Sequence, residues 1–237
     1  MSSAAKANRP QQRMDRGRLI RVLLAVPIYF ALFMFLPAGT WEWLDGWVFI
    51  LVFASSVAIV SAYLWRVSPE VVVARATSHE WTKRWDKILV SLLLLAVYAI
   101  VPVAALDDGR FHWLPLPWWV CVIGYGLFFS GMVLVTWAES VNKFFEVTVR
   151  LQTDRGQMVI DTGPYAIVRH PGYVSGILIA VGTALCLASV WALIPAGLAT
   201  VLFIVRTRWE DPTLQSELPG YMEYTQRVRS KLIPGVW

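Results

Sequence analysis

The chain has 237 residues, of which 57% are apolar, 14% aromatic and 16% charged. Soluble domains carry about 25% charged residues. This composition, with 13 tryptophans and a mean hydropathy of +0.55, excludes a disordered chain, a collagen-like chain and an ordinary soluble domain, and points to a membrane protein. The formal charge is +5, and the two cysteines, Cys121 and Cys186, lie in apolar runs, where they form neither a disulfide framework nor a zinc cage.

Residues 1–16 read as a disordered basic tail, and no secretory signal peptide is evident. A membrane-spanning helix needs about 20 mostly apolar residues. Stretches without Lys, Arg, Asp or Glu run for 20 residues after Arg21, 20 after Asp45, 19 after Lys87, 28 after Arg110 and 36 after Arg169. The last is too long for one helix and slightly short for two. Gly182, Ser189 and Pro195 in its middle predict a tight helical hairpin. The predicted fold is therefore an all-α integral membrane protein of about six spans, at 18–37, 44–65, 87–106, 116–138, 172–188 and 190–207.

The basic residues set the topology. Six lie at or before Arg21, five from Arg66 to Lys87, four from Lys143 to Arg169 and five from Arg206 to Lys231, leaving only Arg110 for the opposite side. The positive-inside rule puts both termini in the cytoplasm. The net charge then reflects topology and lipid attraction and implies no nucleic-acid partner. The lack of a retention signal favours a bacterial inner membrane over the endoplasmic reticulum.

Three cytoplasmic segments hold the polar residues. Ser68-Pro69-Glu70 reads as a helix start, and Val71, Val72, Trp81 and Trp85 suggest an interfacial helix, though a plain interfacial linker is the simpler explanation. The second segment, 139–171, holds Asn142, Lys143, Phe144, Phe145, Arg150, Gln152, Asp154 and Arg155, and continues through the turn at Gly163-Pro164-Tyr165 to Arg169-His170-Pro171. Pro171 suits the first position of a helix, so the fifth span is expected to start there with its positive dipole end beside Arg169, His170, Tyr165 and Tyr173. In the third segment, Glu210 and Asp211 sit at the C-terminal end of a helix, where the dipole disfavours acids, so an Arg or a cationic ligand is expected to compensate them. Tyr221, Tyr224 and Val228 have the spacing of a short amphipathic helix. For any one of these residues, a snorkelling anchor or a solvated acid is the simpler explanation. Their grouping at both ends of one hairpin favours a site.

Gly163-Pro164-Tyr165, Arg169-His170-Pro171, Tyr173, Gly176, Arg206, Glu210-Asp211, Leu214, Gly220-Tyr221, Tyr224, Val228 and Leu232-Ile233-Pro234 together resemble the isoprenylcysteine carboxyl methyltransferase family, which is related to phospholipid N-methyltransferases. The resemblance covers about 139–237 and implies that this is the catalytic methyltransferase region, with 17–138 supplying four spans. It implies S-adenosylmethionine as cofactor, with Gly163, Pro164, Tyr165, Arg169, His170, Pro171, Tyr173, Glu210 and Asp211 binding it. It further implies a prenylated or other lipophilic substrate entering from the bilayer and a C-terminal segment that covers the site. The family usually carries Glu-Glu where this chain has Glu210-Asp211, so Asp211 is a departure.

On chemical grounds, the cofactor's carboxylate would use the helix start at Pro171 with Arg169 or His170, and its ammonium or ribose would use Glu210. A carboxylate acceptor is already ionised and needs no base. With His170 the only histidine near the site, such an acceptor is expected, positioned by Arg206, which with Glu210 is a candidate catalytic residue. Three alternatives remain at this point. A lipid amine methyltransferase shares the cofactor but needs deprotonation of its acceptor. A sterol-reductase-like oxidoreductase would use a nicotinamide. A transporter subunit would place charge within the spans, and the predicted spans hold none except at their ends.

Overall fold

The computed structural model describes residues 29, 31–76, 83–146, 148–149, 152 and 155–237. Among them every regular element is helical. The predicted span 18–37 lies mostly outside the described residues, as do Trp81, Arg150 and Asp154. Its end is seen as a π-helical turn, Ala31–Phe35, running into Leu36–Ala38.

Helix α1 is Leu44–Val67 and α2 is Pro69–Ala76, which begins at the predicted proline. Helix α3 is Arg84–Ala104, continued by a π-helical turn at Ala105–Phe111, and α4 is Trp118–Val141. Among the described residues, three helices are long and apolar enough to cross a membrane, Leu44–Val67, Arg84–Phe111 and Trp118–Val141. Trp85 belongs to α3 rather than to an interfacial helix.

The hairpin consists of α5, Pro171–Cys186, and α6, Leu193–Glu217. Helix α6 runs past the predicted end at 207 and carries Pro212 within it. A proline there removes one backbone hydrogen bond. Packing compensates for it, because Thr207 and Asp211 are fully buried on the inner face. A short helix, α7, Tyr221–Arg227, follows Gly220.

Small residues bring the helices together. A Cβ at Gly124 of α4 would lie 2.4 Å from the Cys186 backbone nitrogen, and one at Gly182 of α5 would lie 2.6 Å from that of Phe128. Backbones at this separation pack by dispersion contacts, which drive helix association where no hydrophobic effect operates. Ala192, Ala196 and Ala199, all fully buried, give α6 a similar smooth face. At the far end of the hairpin, Ser189 Oγ donates to buried Asp107 Oδ2 at 2.6 Å and accepts from the Ala192 amide at 3.0 Å. This ties the hairpin turn to the end of α3.

The opposite end collects the polar segments. Lys83 pairs with Glu217 at 2.6 Å, Arg155 with Glu70 at 3.5 Å and Lys231 with Asp211 at 3.4 Å. Three of the four predicted basic regions therefore meet at one end of the bundle.

Candidate active site

The start of α5 is held by its neighbours in sequence and by the C-terminal strap. The Arg169 amide donates to Ser230 O and the His170 amide to Lys231 O, both at 3.0 Å. Most of the donor capacity expected beside this helix start is thus taken by the protein's own chain. The Gly163–Ala166 turn packs on the end of α4. Gly163 has φ +59°, and a Cβ there would meet Trp137 Nε1 at 3.0 Å, so only glycine suits the position. Tyr165 is buried below the turn. Its hydroxyl accepts from Asn142 Nδ2 at 2.9 Å, and its carbonyl accepts from the Tyr224 hydroxyl at 2.7 Å. Burial pushes the phenols of Tyr165, Tyr221 and Tyr224 above their ordinary value, so they stay protonated.

The two adjacent acids of α6 part company. Asp211 is fully buried and meets Arg169 Nε at 3.2 Å, His170 Nε2 at 3.3 Å and the Tyr221 hydroxyl at 3.2 Å, with Gln215 Nε2 donating at 2.8 Å. Burial alone would raise its carboxyl, but the hydrogen bond and charge of His170, with Arg169 and Lys231, hold it down to about 2. Glu210 instead accepts a hydrogen bond from the Tyr173 hydroxyl. The Tyr173 ring stacks on His170 with centroids 5.5 Å apart and carries the Arg206 guanidinium 5.2 Å from its own centroid.

Arg206 does not snorkel. It is buried, and its Nε donates to Asp86 Oδ1 at 2.8 Å while one terminal nitrogen donates to Asp86 Oδ2 at 3.3 Å. Asp86 Oδ2 also accepts from the Val149 amide at 2.6 Å. Asp86 lies in the first turn of α3 and Arg206 at the predicted end of the last span, so this buried pair sits where charge was expected, at span ends.

Several of these residues border a cavity of about 330 Å³. Of the predicted site residues, Tyr165, Arg169, His170, Pro171, Tyr173, Arg206 and Glu210 line it, whereas Gly163, Pro164 and Asp211 lie behind its wall. Leu93, Val135, Ile179 and Phe203, from four different helices, extend the cavity into the apolar part of the bundle. Tyr221 and Tyr224 close it on the C-terminal side, as expected of a covering segment.

Sequence reasoning missed Asp86. An acid at the first turn of an apolar helix is its only local mark, and that mark also fits ordinary helix-end chemistry. It also missed the role of Arg155, which organises the loop. Arg155 donates to Gln152 Oε1 and to Lys143 O, both at 2.8 Å, and lies over the ring of Phe144, which lines the cavity.

The segment 119–218 matches the family model described as phospholipid methyltransferase. Among solved structures, the eukaryotic intramembrane Ras methyltransferase, isoprenylcysteine carboxyl methyltransferase, is similar at 20% identity with a TM-score of 0.45, over 93% of this chain and 86% of that one. No curated protein matches the sequence significantly. The apolar helices mark a membrane protein, and the matched segment points to the methyltransferase class. Within that class, the part of the chain from α4 to the end of α6 is similar to phospholipid methyltransferases.

Proposed function

We propose that the protein transfers a methyl group from S-adenosylmethionine to a lipophilic acceptor, with its catalytic region in 139–237 and α3 as an essential partner. The observation that carries this reading is the double character of the cavity, polar at His170, Arg206, Glu210 and Tyr221 and apolar at Leu93, Val135, Ile179 and Phe203. Its volume of about 330 Å³ lies within the roughly 300–1,000 Å³ of small-molecule sites. The donor set fits the cofactor. Glu210 is an acid suited to an ammonium or a ribose diol, and Tyr173 orients it.

Bound S-adenosylmethionine supplies a methyl group already activated by positive charge. The protein's task is then orientation and the exclusion of water. The stack of His170 on Tyr173 and the strap over 230–231 serve both ends. The bilayer delivers the acceptor's apolar part to the Leu93–Phe203 side. The basic segments around 66–87, 143–169 and 206–231 favour the cytoplasm for this end, as in a bacterial inner membrane.

The acceptor class follows from charge. A carboxylate acceptor relied on Arg206, and that guanidinium is already paired with Asp86. Glu210 lines the cavity and favours an amine, which is cationic at rest and must lose a proton before it attacks. The amine reading also agrees with the description of the matched family, so we rank it above the isoprenylcysteine carboxylate.

The test is calorimetric binding of S-adenosylmethionine to detergent-purified protein, followed by transfer of labelled methyl to phosphatidylethanolamine vesicles or to an S-prenylated cysteine. Saturable binding that Glu210→Gln weakens, with label entering the phospholipid, is the expected result. Absence of binding by the folded wild type would overturn the methyltransferase site. Label entering only the prenylated cysteine would restore the carboxylate reading.

A further inference from the structure

Asp86 stands just outside the cavity. It is fully buried on α3, does not line the cavity wall, and touches Arg206, which does. Both of its oxygens are engaged by that guanidinium, and one also holds the Val149 amide of the cavity loop. Arg206 faces Tyr173, whose hydroxyl is on Glu210. A row of contacts therefore runs from Asp86 through Arg206 and Tyr173 to Glu210.

We infer that Asp86 is a positioning residue that cancels the charge of Arg206, so that the cavity accepts a cationic methyl donor. The inference rests on the reading of the cavity as the S-adenosylmethionine site. The physical argument is one of sign and dielectric. A guanidinium bordering a small cavity repels any cation bound there, and the lower dielectric of a protein interior strengthens that repulsion. A carboxylate in direct contact turns the guanidinium into half of a neutral pair, while leaving it to pack against Tyr173 and border the cavity. Asp86 also lies outside the matched segment 119–218, so this role makes α3 part of the working site.

The product of methyl transfer gives a direct readout. S-adenosylmethionine carries a positive sulfonium, whereas S-adenosylhomocysteine has a neutral thioether in the same place. The ratio of their affinities reports local charge without any acceptor or turnover. A clamp that merely held α3 against α6 would change both affinities together.

The experiment measures both dissociation constants by calorimetry at pH 8 on detergent-purified wild type, Asp86→Asn, Arg206→Gln and the double variant, each checked for helicity and homogeneity. Asp86→Asn is expected to weaken S-adenosylmethionine at least fivefold more than S-adenosylhomocysteine. Arg206→Gln is expected to shift the ratio the opposite way, and the double variant to return within about twofold of wild type. A lone Asp86→Asn removes one carboxylate from a buried guanidinium and can fail to fold. In that case Arg206→Gln and the double variant decide. Ratios unchanged across the folded variants, while the wild type binds both ligands, would overturn the role of Asp86 alone. A wild type that binds neither ligand would overturn the assignment of the cavity, and this role with it.

Discussion

Asp211 and Lys231 are joined by an ion pair of 3.4 Å, which fastens the C-terminal strap to the buried end of α6. The same carboxylate meets Arg169 and His170. One acid thus holds together α6, the start of α5 and the strap.

The stability of this junction depends on pH in a defined direction. The Asp211 carboxyl falls from an ordinary 3.8 to about 2 in the folded protein. A depressed carboxyl contributes stability that is complete above about pH 4 and is lost as pH falls from there toward 2. The shift corresponds to a contribution of order 2 kcal/mol. Thermal unfolding in detergent should therefore show wild type more stable than Asp211→Asn at pH 7, with the gap constant down to about pH 5 and shrinking below pH 4. A gap independent of pH would show that the ionised carboxylate is not the source.

Tyr173→Phe removes the hydroxyl on Glu210 and leaves the ring between His170 and Arg206. A hydrogen bond to a charged group is worth about 1.5–3 kcal/mol. The melting temperature should fall by several degrees, and the dissociation constant for S-adenosylmethionine should rise about tenfold or more. Calorimetry beside a thermal melt separates the two effects.

Gly124→Ala tests the close approach of α4 and α5. The added carbon would lie 2.4 Å from the Cys186 nitrogen and 2.6 Å from the Leu185 carbonyl carbon, both backbone atoms that cannot rotate away. Overpacking of this kind costs about 1–3 kcal/mol. A clear loss of thermal stability is expected, and an unchanged melting temperature would mean that the helices separate without cost.

Ser189→Ala acts at the far end of the hairpin. It deprives Asp107 Oδ2 of a donor at 2.6 Å and the Ala192 amide of an acceptor at 3.0 Å. Leaving buried polar groups without partners costs about 1–3 kcal/mol. Stability should fall, and cofactor affinity measured below the transition should stay within about twofold of wild type, because the cavity lies at the other end of the bundle.

The residues that were legible in the sequence share a local signature. The predicted spans 44–65, 116–138 and 172–188 agree with Leu44–Val67, Trp118–Val141 and Pro171–Cys186 to within a few residues. Pro69 and Pro171 mark helix starts, and Tyr221, Tyr224 and Val228 form a small cluster with Leu218. Asp211 was legible as an acid in need of a cation, though not as one facing away from the cavity. The partner of Arg206 was not legible, because Asp86 lies 120 positions away on another helix.

Composition and the order of charges by themselves determined that this is a helical membrane protein with its polar segments gathered on one side. Hydropathy is summed over a window no longer than one span, and the bilayer responds to that sum whatever the rest of the chain does. Only the tertiary structure decided that Asp86 pairs with Arg206, that Asp211 anchors the strap while Glu210 borders the cavity, and that four helices share its apolar wall. Those outcomes depend on how far each helix is turned about its axis. That rotation is set by contacts between small residues distant in sequence, and no local window contains it.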